Sequence, residues 1–361
     1  MVIKKFYSLL LVISITFAAY AQAPDGYYDS ASGKSAAALK TALYEIIHDH
    51  TEMTYAQLWT AFKTTDKRSD GKVWDIYSDI PDGTPKYSYT FGDNQCGNYS
   101  AEGDCYNREH SFPKSWFDDA TPMYSDLFHI YPTDGYVNGK RSNYPYGEVS
   151  SYTYISSNGS KLGKCSFSGY TGTVFEPIDE YKGDLARTYF YMATCYEDTI
   201  AGWVSNSEAQ PILAGNAYPA FKEWTINLLL KWSRQDSVSQ KEIDRNNAIY
   251  SIQGNRNPYI DYPELAEYVW GNKTTEVFNL DGSSVDLNTS ENVKVTKTDG
   301  GFLVQQSSGN SRSISVFDTT GRLVKRISTS STTLFVSLSQ KGNYIITVDD
   351  QNGRTSFKLL F

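Results

Sequence analysis

"CYNREHSFPKSWF", residues 105–117, gathers an acid, an imidazole and two basic side chains in one short stretch. Histidine is scarce in this chain: only His48, His50, His110 and His129 occur. Neighbours in a regular strand face opposite sides, so Glu109 and His110 can serve one reaction centre only where the strand ends or bends. Pro113 supplies such a break, since a central ladder cannot run through proline.

A second stretch, DLFHIYPTDGYVNGKRSNYPYG (126–147), complements the first. A short helix over Asp134–Ser142, stopped before Pro145, would aim Asn138 and Arg141 the same way, one turn apart. Together the two stretches hold what phosphodiester hydrolysis needs: a base to deprotonate water, positive charge on the phosphate oxygens, and room for in-line attack. Histidine can be the base. A magnesium ion prefers hard oxygen ligands and keeps several waters, so one carboxylate and one amide oxygen suffice to hold it.

With 361 residues the chain has room for one large domain and a small one. Residues 1–21 read as a secretory leader: Lys4 and Lys5, an apolar run from Leu9 to Ala18, then a small-x-small cleavage site. An uncleaved anchor is the alternative, but the run is short for a membrane span. Export permits disulfides. Cys96 and Cys105 would close a Gly-rich loop directly before the Glu-His step, leaving Cys165 and Cys195 as the remaining pair. A net charge of −8 disfavours a broadly basic nucleic-acid binder, although a local basic groove with a bound divalent cation can reverse the sign on one face.

Apolar spacing predicts helices over 35–50, over Tyr55–Lys63 behind Thr54 as N-cap, and over 184–197 and 221–236. Strand-like runs occur at VWDIYS (73–78) and KYSYTF (86–91). Residues 245–271 read as a polar, Asn-rich turn and a short helix, whose Arg245, Asn246, Gln253, Asn255 and Asn257 look turn-satisfying. His48 and His50, two apart at a helix end, read as solvated. Residues 273–290 read as a linker, and 291–361 alternate with period two between Gly-bearing turns, the pattern of a small β-sandwich.

NREHSFPKSWF, DLFHIYPTDGYVNGKRSNYPYG, FEPIDEYKGDLARTYFYMA (175–193) and QGNRNPYIDYPELAEYVWG (253–271) closely resemble, in order, the bacterial endonuclease I family of secreted or periplasmic nucleases. That family belongs to the His-Me finger (ββα-metal) superfamily, and the resemblance runs from about residue 40 to 272. It implies an α+β fold: a mainly helical nuclease domain over residues 22–272 around a ββα-metal core, followed by the small β-sandwich. It also implies His110 as general base, and Glu109 and Asn138 as ligands of one Mg²⁺, with Mn²⁺ or Ca²⁺ as substitutes. The substrate would be DNA, and RNA as well, cut without sequence preference to leave 5′-phosphate ends. Phosphate-directed contacts carry no base information.

Some family members carry a transition-state arginine between the histidine and the Asn-bearing helix. Here residues 111–132 hold Lys114 but no arginine. Arg141 is the substitute, with Lys114, Lys182 and Arg187 as candidates for substrate phosphates. His129, inside the apolar DLFHIYP, reads as a buried support oriented by Asp126. Glu109 taken alone could instead be a surface carboxylate paired with Arg108.

The tail, SISVFDTTGRLVKRIS to NYIITVDDQNGRTSFKLLF, resembles the C-terminal sorting domain of type IX secretion. The implied partners are nucleic acid and the secretion machinery, with no stable membrane span and a monomeric state. The contrasting class is an aromatic-rich module that binds glycans on a decayed nuclease core; 29 tyrosines motivate it, since rings stack on sugars and bases alike.

Overall fold

The computed structural model describes residues 23–280, 293–298, 300–306, 311–318, 321–338, 342–350 and 353–360. The leader over 1–21 lies outside the described residues, as does the linker from residue 281 to 290. Two compact units divide the chain, at Met1–Phe278 and Asn279–Phe361. The larger unit runs past residue 272 because buried Phe278 exchanges backbone hydrogen bonds with Gly33 and Lys34.

In the larger unit, α1 (Ala36–Ile47) buries Leu39, Leu43 and Ile47 along one face. Helix α2 (Leu58–Thr65) buries Leu58, Ala61, Phe62 and Thr65, a spacing that makes one stripe. Thr54 caps it as expected, exchanging bonds with Gln57, but the first turn closes as a tighter i→i+3 turn that holds Tyr55 ahead of the α-helix. Residues 73–78 and 86–91 form no strands. Asp75 accepts from its own Tyr77 N–H, a local turn that competes with a ladder. Their aromatics still pack: Val73, Tyr89 and Tyr106 form a buried cluster against Trp59, Tyr87 and Phe91.

Strand β1 (Tyr106–His110) pairs antiparallel with β2 (Ile130–Asp134), with His110 opposite Ile130 and Tyr106 opposite Asp134. Helix α3 (Gly135–Arg141) follows at once, capped by the Asp134 carboxylate, which accepts from Val137 N–H. A three-stranded antiparallel sheet then forms from β3 (Val149–Ile155), β4 (Lys161–Cys165) and β5 (Thr173–Glu176). Sequence reading does not anticipate that sheet; the unit mixes helix with strand, with helix the larger share.

Every residue of α4 (Lys182–Cys195) is buried, so this is a central helix and not the one-faced helix its spacing suggests. It packs against α1 and against α5 (Glu223–Gln235), whose Trp224, Leu228 and Trp232 are core as expected. Helix α6 (Gln240–Gln253) replaces the expected polar turn. A capping box between Ser239 and Glu242 starts it upstream, and Gly254 at φ +82° ends it. Its polar residues point at buried backbone: Arg245 donates to the Leu127 and Ile130 carbonyls, and Gln253 takes the Leu127 N–H. These groups therefore brace the connection entering β2. Two short helices, α7 (Pro258–Asp261) and α8 (Leu265–Val269), finish the unit.

The second unit holds β6 (Val293–Thr298), β7 (Gly301–Gln306), β8 (Arg312–Asp318), β9 (Leu323–Thr329), β10 (Thr333–Ser337), β11 (Asn343–Asp350) and β12 (Gly353–Leu360). They form two antiparallel sheets in the orders β10-β7-β6 and β12-β11-β8-β9. Phe302, Val304 and Val336 from the first share one core with Ile314, Val316, Ile346 and Val348 from the second. Among the described residues, no helix is long and apolar enough to cross a membrane.

Candidate active site

His110 closes β1, and its ring lies beside the Tyr124 ring at 5.4 Å and the Tyr55 ring at 5.8 Å, nearly parallel to both. Nε2 is 3.1 Å from the Tyr124 carbonyl oxygen. A carbonyl can only accept, so the neutral ring carries its proton on Nε2 and leaves the Nδ1 lone pair as the base. Burial, with the charges of His129, Lys114 and Arg108, holds the His110 pKa well below its usual value. The ring is therefore unprotonated at neutral pH.

Glu109 faces the other side of β1 and is 2 % exposed. It takes a hydrogen bond from the Tyr77 hydroxyl at 2.8 Å and sits 3.1 Å from Arg141 Nη1. Burial raises its pKa, and the Arg141 charge opposes the rise. A surface pairing with Arg108 does not occur; Arg108 turns instead to the Tyr55 carbonyl.

Two rungs join α3 to this face of β1. Asn138 Nδ2 donates to Asn107 Oδ1 at 2.7 Å, and one turn later Arg141 meets Glu109. Asn107 and Glu109 share a strand face, as Asn138 and Arg141 share a helix face. With its nitrogen engaged, Asn138 keeps its amide oxygen as an acceptor. The disulfide loop also packs here: a Cβ at Gly139 would lie 2.5 Å from the Tyr99 hydroxyl, and one at Gly135 2.7 Å from the same ring. Only glycine lets Tyr99 settle on the helix.

Several sequence expectations change. Arg141 is not presented to a substrate. Its donors go to the carbonyls of His110 and Ser111 as well as to Glu109, so it fixes the end of β1. Arg187 is wholly buried and forks onto Glu242, and Lys182 is bound by Glu176 and Asp179; both charges are neutralised internally. Lys114 is exposed, bonded to Asp119, with its ammonium 5.4 Å from the Tyr124 ring. His129 is buried and Nε2 bonds the Met123 carbonyl at 2.7 Å. Asp126 does not bond that ring. Its carboxylate takes Tyr191, Tyr196 and Gln253, and reaches His129 through charge alone.

Cys96 and Cys105 are joined, whereas Cys165 and Cys195 are buried free thiols. The second expected bridge is absent because Cys195 turns to the Ile47 carbonyl and Cys165 to Phe167. His50 is not solvated. Its side chain is enclosed, with Nε2 3.7 Å from Asp126. The donor atoms of His50, Asp126 and Cys195 lie within 4.8 Å of one another, a trio able to hold a cation, but the Tyr191 and Tyr196 hydroxyls already occupy the Asp126 carboxylate.

The profile of the family described as Endonuclease I matches residues 35–264. The chain belongs to the Endonuclease I family. It is therefore a nuclease, a metal-dependent phosphodiester hydrolase acting on nucleic acid. An extracellular ribonuclease of Bacillus amyloliquefaciens is 36% identical over 249 residues, covering 68% of this chain and 78% of that protein. An extracellular ribonuclease of Bacillus subtilis (strain 168) is 33% identical over 266 residues, 72% of this chain and 83% of the other. An extracellular deoxyribonuclease of Aeromonas hydrophila is 25% identical over 146 residues, 40% of this chain and 52% of its own. Residues 298–361 match the secretion system C-terminal sorting domain, and the protein is secreted or held at the cell surface.

Within this family setting, Glu109 and Asn138 suit a magnesium-type ion by donor chemistry: one hard carboxylate and one amide oxygen. Sequence reasoning missed Tyr55, Tyr124, Tyr77 and Asn107. Asn107 was legible, since period two puts it on the Glu109 face; nothing in the sequence brings the three tyrosines to the motif.

Proposed function

We propose that the Endonuclease I unit is a His-Me finger endonuclease, with β1, β2 and α3 as its ββα core, that cuts DNA and RNA without sequence preference. His110 is the general base, and Glu109 with Asn138 holds one Mg²⁺, for which Mn²⁺ or Ca²⁺ could substitute. The observation that carries this reading is the Nε2 contact of His110 with the Tyr124 carbonyl, which leaves a neutral Nδ1 as proton acceptor on the residue next to a buried carboxylate.

When bound, the ion supplies positive charge to the phosphate and to the departing 3′ oxygen. His110 Nδ1 takes the proton of the attacking water, and the Tyr124 carbonyl steadies the imidazolium through Nε2–H. Arg141 favours the ionised form of Glu109 against its burial and locks the carbonyls on either side of the strand end. Lys114, exposed beside Tyr124, offers a cation to a phosphate oxygen. The tail is a β-sandwich read by the secretion machinery, and the protein acts as a monomer.

The test is hydrolysis of a labelled single-stranded RNA and a plasmid, with Mg²⁺, with EDTA, and by His110→Ala. Expected are cuts bearing 5′-phosphates on both polymers, loss with EDTA, and loss in the variant. Equal turnover by wild type and variant would remove His110 from this role.

A further inference from the structure

Arg108 belongs to the motif but has no part in the proposed chemistry. Its guanidinium carbon sits 3.5 Å from the Tyr55 ring centroid and 4.4 Å from that of Trp59. Nη1 donates to the Tyr55 carbonyl at 2.8 Å, which fixes the stack. These three residues, with Gln95, Gly97 and Asn107, line a cleft of about 400 Å³. That volume falls in the range of small-ligand pockets, roughly 300–1,000 Å³.

Two contacts join this cleft to the reaction centre. The Tyr55 ring lies 5.8 Å from the His110 ring, at 21° to it. Asn107 lines the cleft and also holds Asn138 through its side-chain oxygen. A group entering the cleft therefore lies beside the atoms that would cut the phosphodiester. No carboxylate lines it, in a chain of net charge −8, so nothing there repels a phosphate. Its chemistry is two aromatic rings, one planar cation, two side-chain amides and the Cys96 end of the disulfide. Rings and guanidinium planes stack on nucleobases, and every base has such a face.

We propose that this cleft is a base-stacking subsite for the nucleotide flanking the cleaved phosphate, and that it makes the enzyme favour unpaired strands. The inference rests on the proposed nuclease site and adds the preferred form of its substrate. In a duplex each base is covered on both faces and paired at its edge, so entering the cleft first costs unstacking and unpairing.

The test uses the full chain with Mg²⁺ and an end-labelled single-stranded oligonucleotide carrying one abasic nucleotide. Cleavage is mapped at every linkage. The wild type should show a gap at the linkage that places the abasic position in the cleft, with cutting there reduced roughly five- to hundredfold. Trp59→Ala and Arg108→Gln should each flatten the gap, and annealing the complementary strand should lower kcat/KM about tenfold or more. Because Trp59 also packs on Tyr106, the abasic pattern of the unaltered protein is the primary readout. Normal cutting with an even pattern across the abasic position, or equal rates on single strand and duplex, would overturn the subsite while leaving the nuclease reading intact. No cutting at all would instead defeat that reading.

Discussion

Arg141 Nη1 lies 3.1 Å from Glu109 Oε1, and the two side chains are 1% and 3% exposed. This ion pair ties the end of α3 to the end of β1 in the protein interior. Removing one partner of such a pair leaves an uncompensated buried charge, at a cost of about 3–5 kcal/mol. Arg141→Met should lower stability by that order in urea denaturation. A fall in kcat with unchanged stability would mean that Arg141 contacts substrate instead.

His110→Ala should reduce kcat/KM by roughly 10²–10⁴-fold, the usual share of general base catalysis. Substrate affinity should change little, because the imidazole acts on water rather than on the polymer. Single-turnover hydrolysis and a filter-binding titration in Ca²⁺ separate the two effects.

The Cys96–Cys105 bridge spans a sequence separation of 9, and Tyr99 inside its loop rests on α3 at Gly135 and Gly139. Replacing both cysteines with serine should cost about 2–3 kcal/mol. It should also raise the Mg²⁺ concentration needed for half-maximal rate, since Asn138 rides on the helix that Tyr99 covers. An unchanged metal midpoint would uncouple loop from helix.

Burial pushes the Cys165 and Cys195 thiols above their ordinary pKa, so neither is a ready thiolate. A colorimetric thiol reagent should find none in the native protein and two after unfolding. Two fast-reacting thiols in the native state would contradict the burial.

Asp75 is buried, and desolvation, with the Asp134 charge adding to it, pushes its carboxyl up to about 7. Between the unfolded value near 3.8 and 7, the folded state holds the proton. The stabilisation is therefore full below the lower value and is lost as pH rises through the upper one. Asp75→Asn has no such titration. The stability difference between wild type and variant should shrink by up to about 2–3 kcal/mol from pH 5 to pH 8. A difference independent of pH would place the titration elsewhere.

Much of this arrangement is written locally. The break after His110, the α3 cap at Asp134 and the alternation of the tail strands all follow from short-range pattern. So does the Cys96–Cys105 loop. What escapes is long-range and polar. Arg187 looks like a phosphate ligand in isolation, yet Glu242, far along the chain, claims its fork. Arg141 sits at the right helical spacing, but the carbonyls of His110 and Ser111 at the end of β1 take its donors. Helix α6 hides behind its polar residues, because Arg245, Asn246 and Gln253 are held by burial rather than by an apolar period. Spacing reports which side chains share a face; it does not report what that face meets.

The backbone exchange between Lys34 and Phe278 makes the larger unit a nearly closed ring, its beginning and end fastened side by side. Proteolytic trimming outside that clasp severs no strand or helix of the reaction centre. The same adjacency suits the unit to circular permutation: a short splice at the clasp would let new ends open at a surface turn elsewhere.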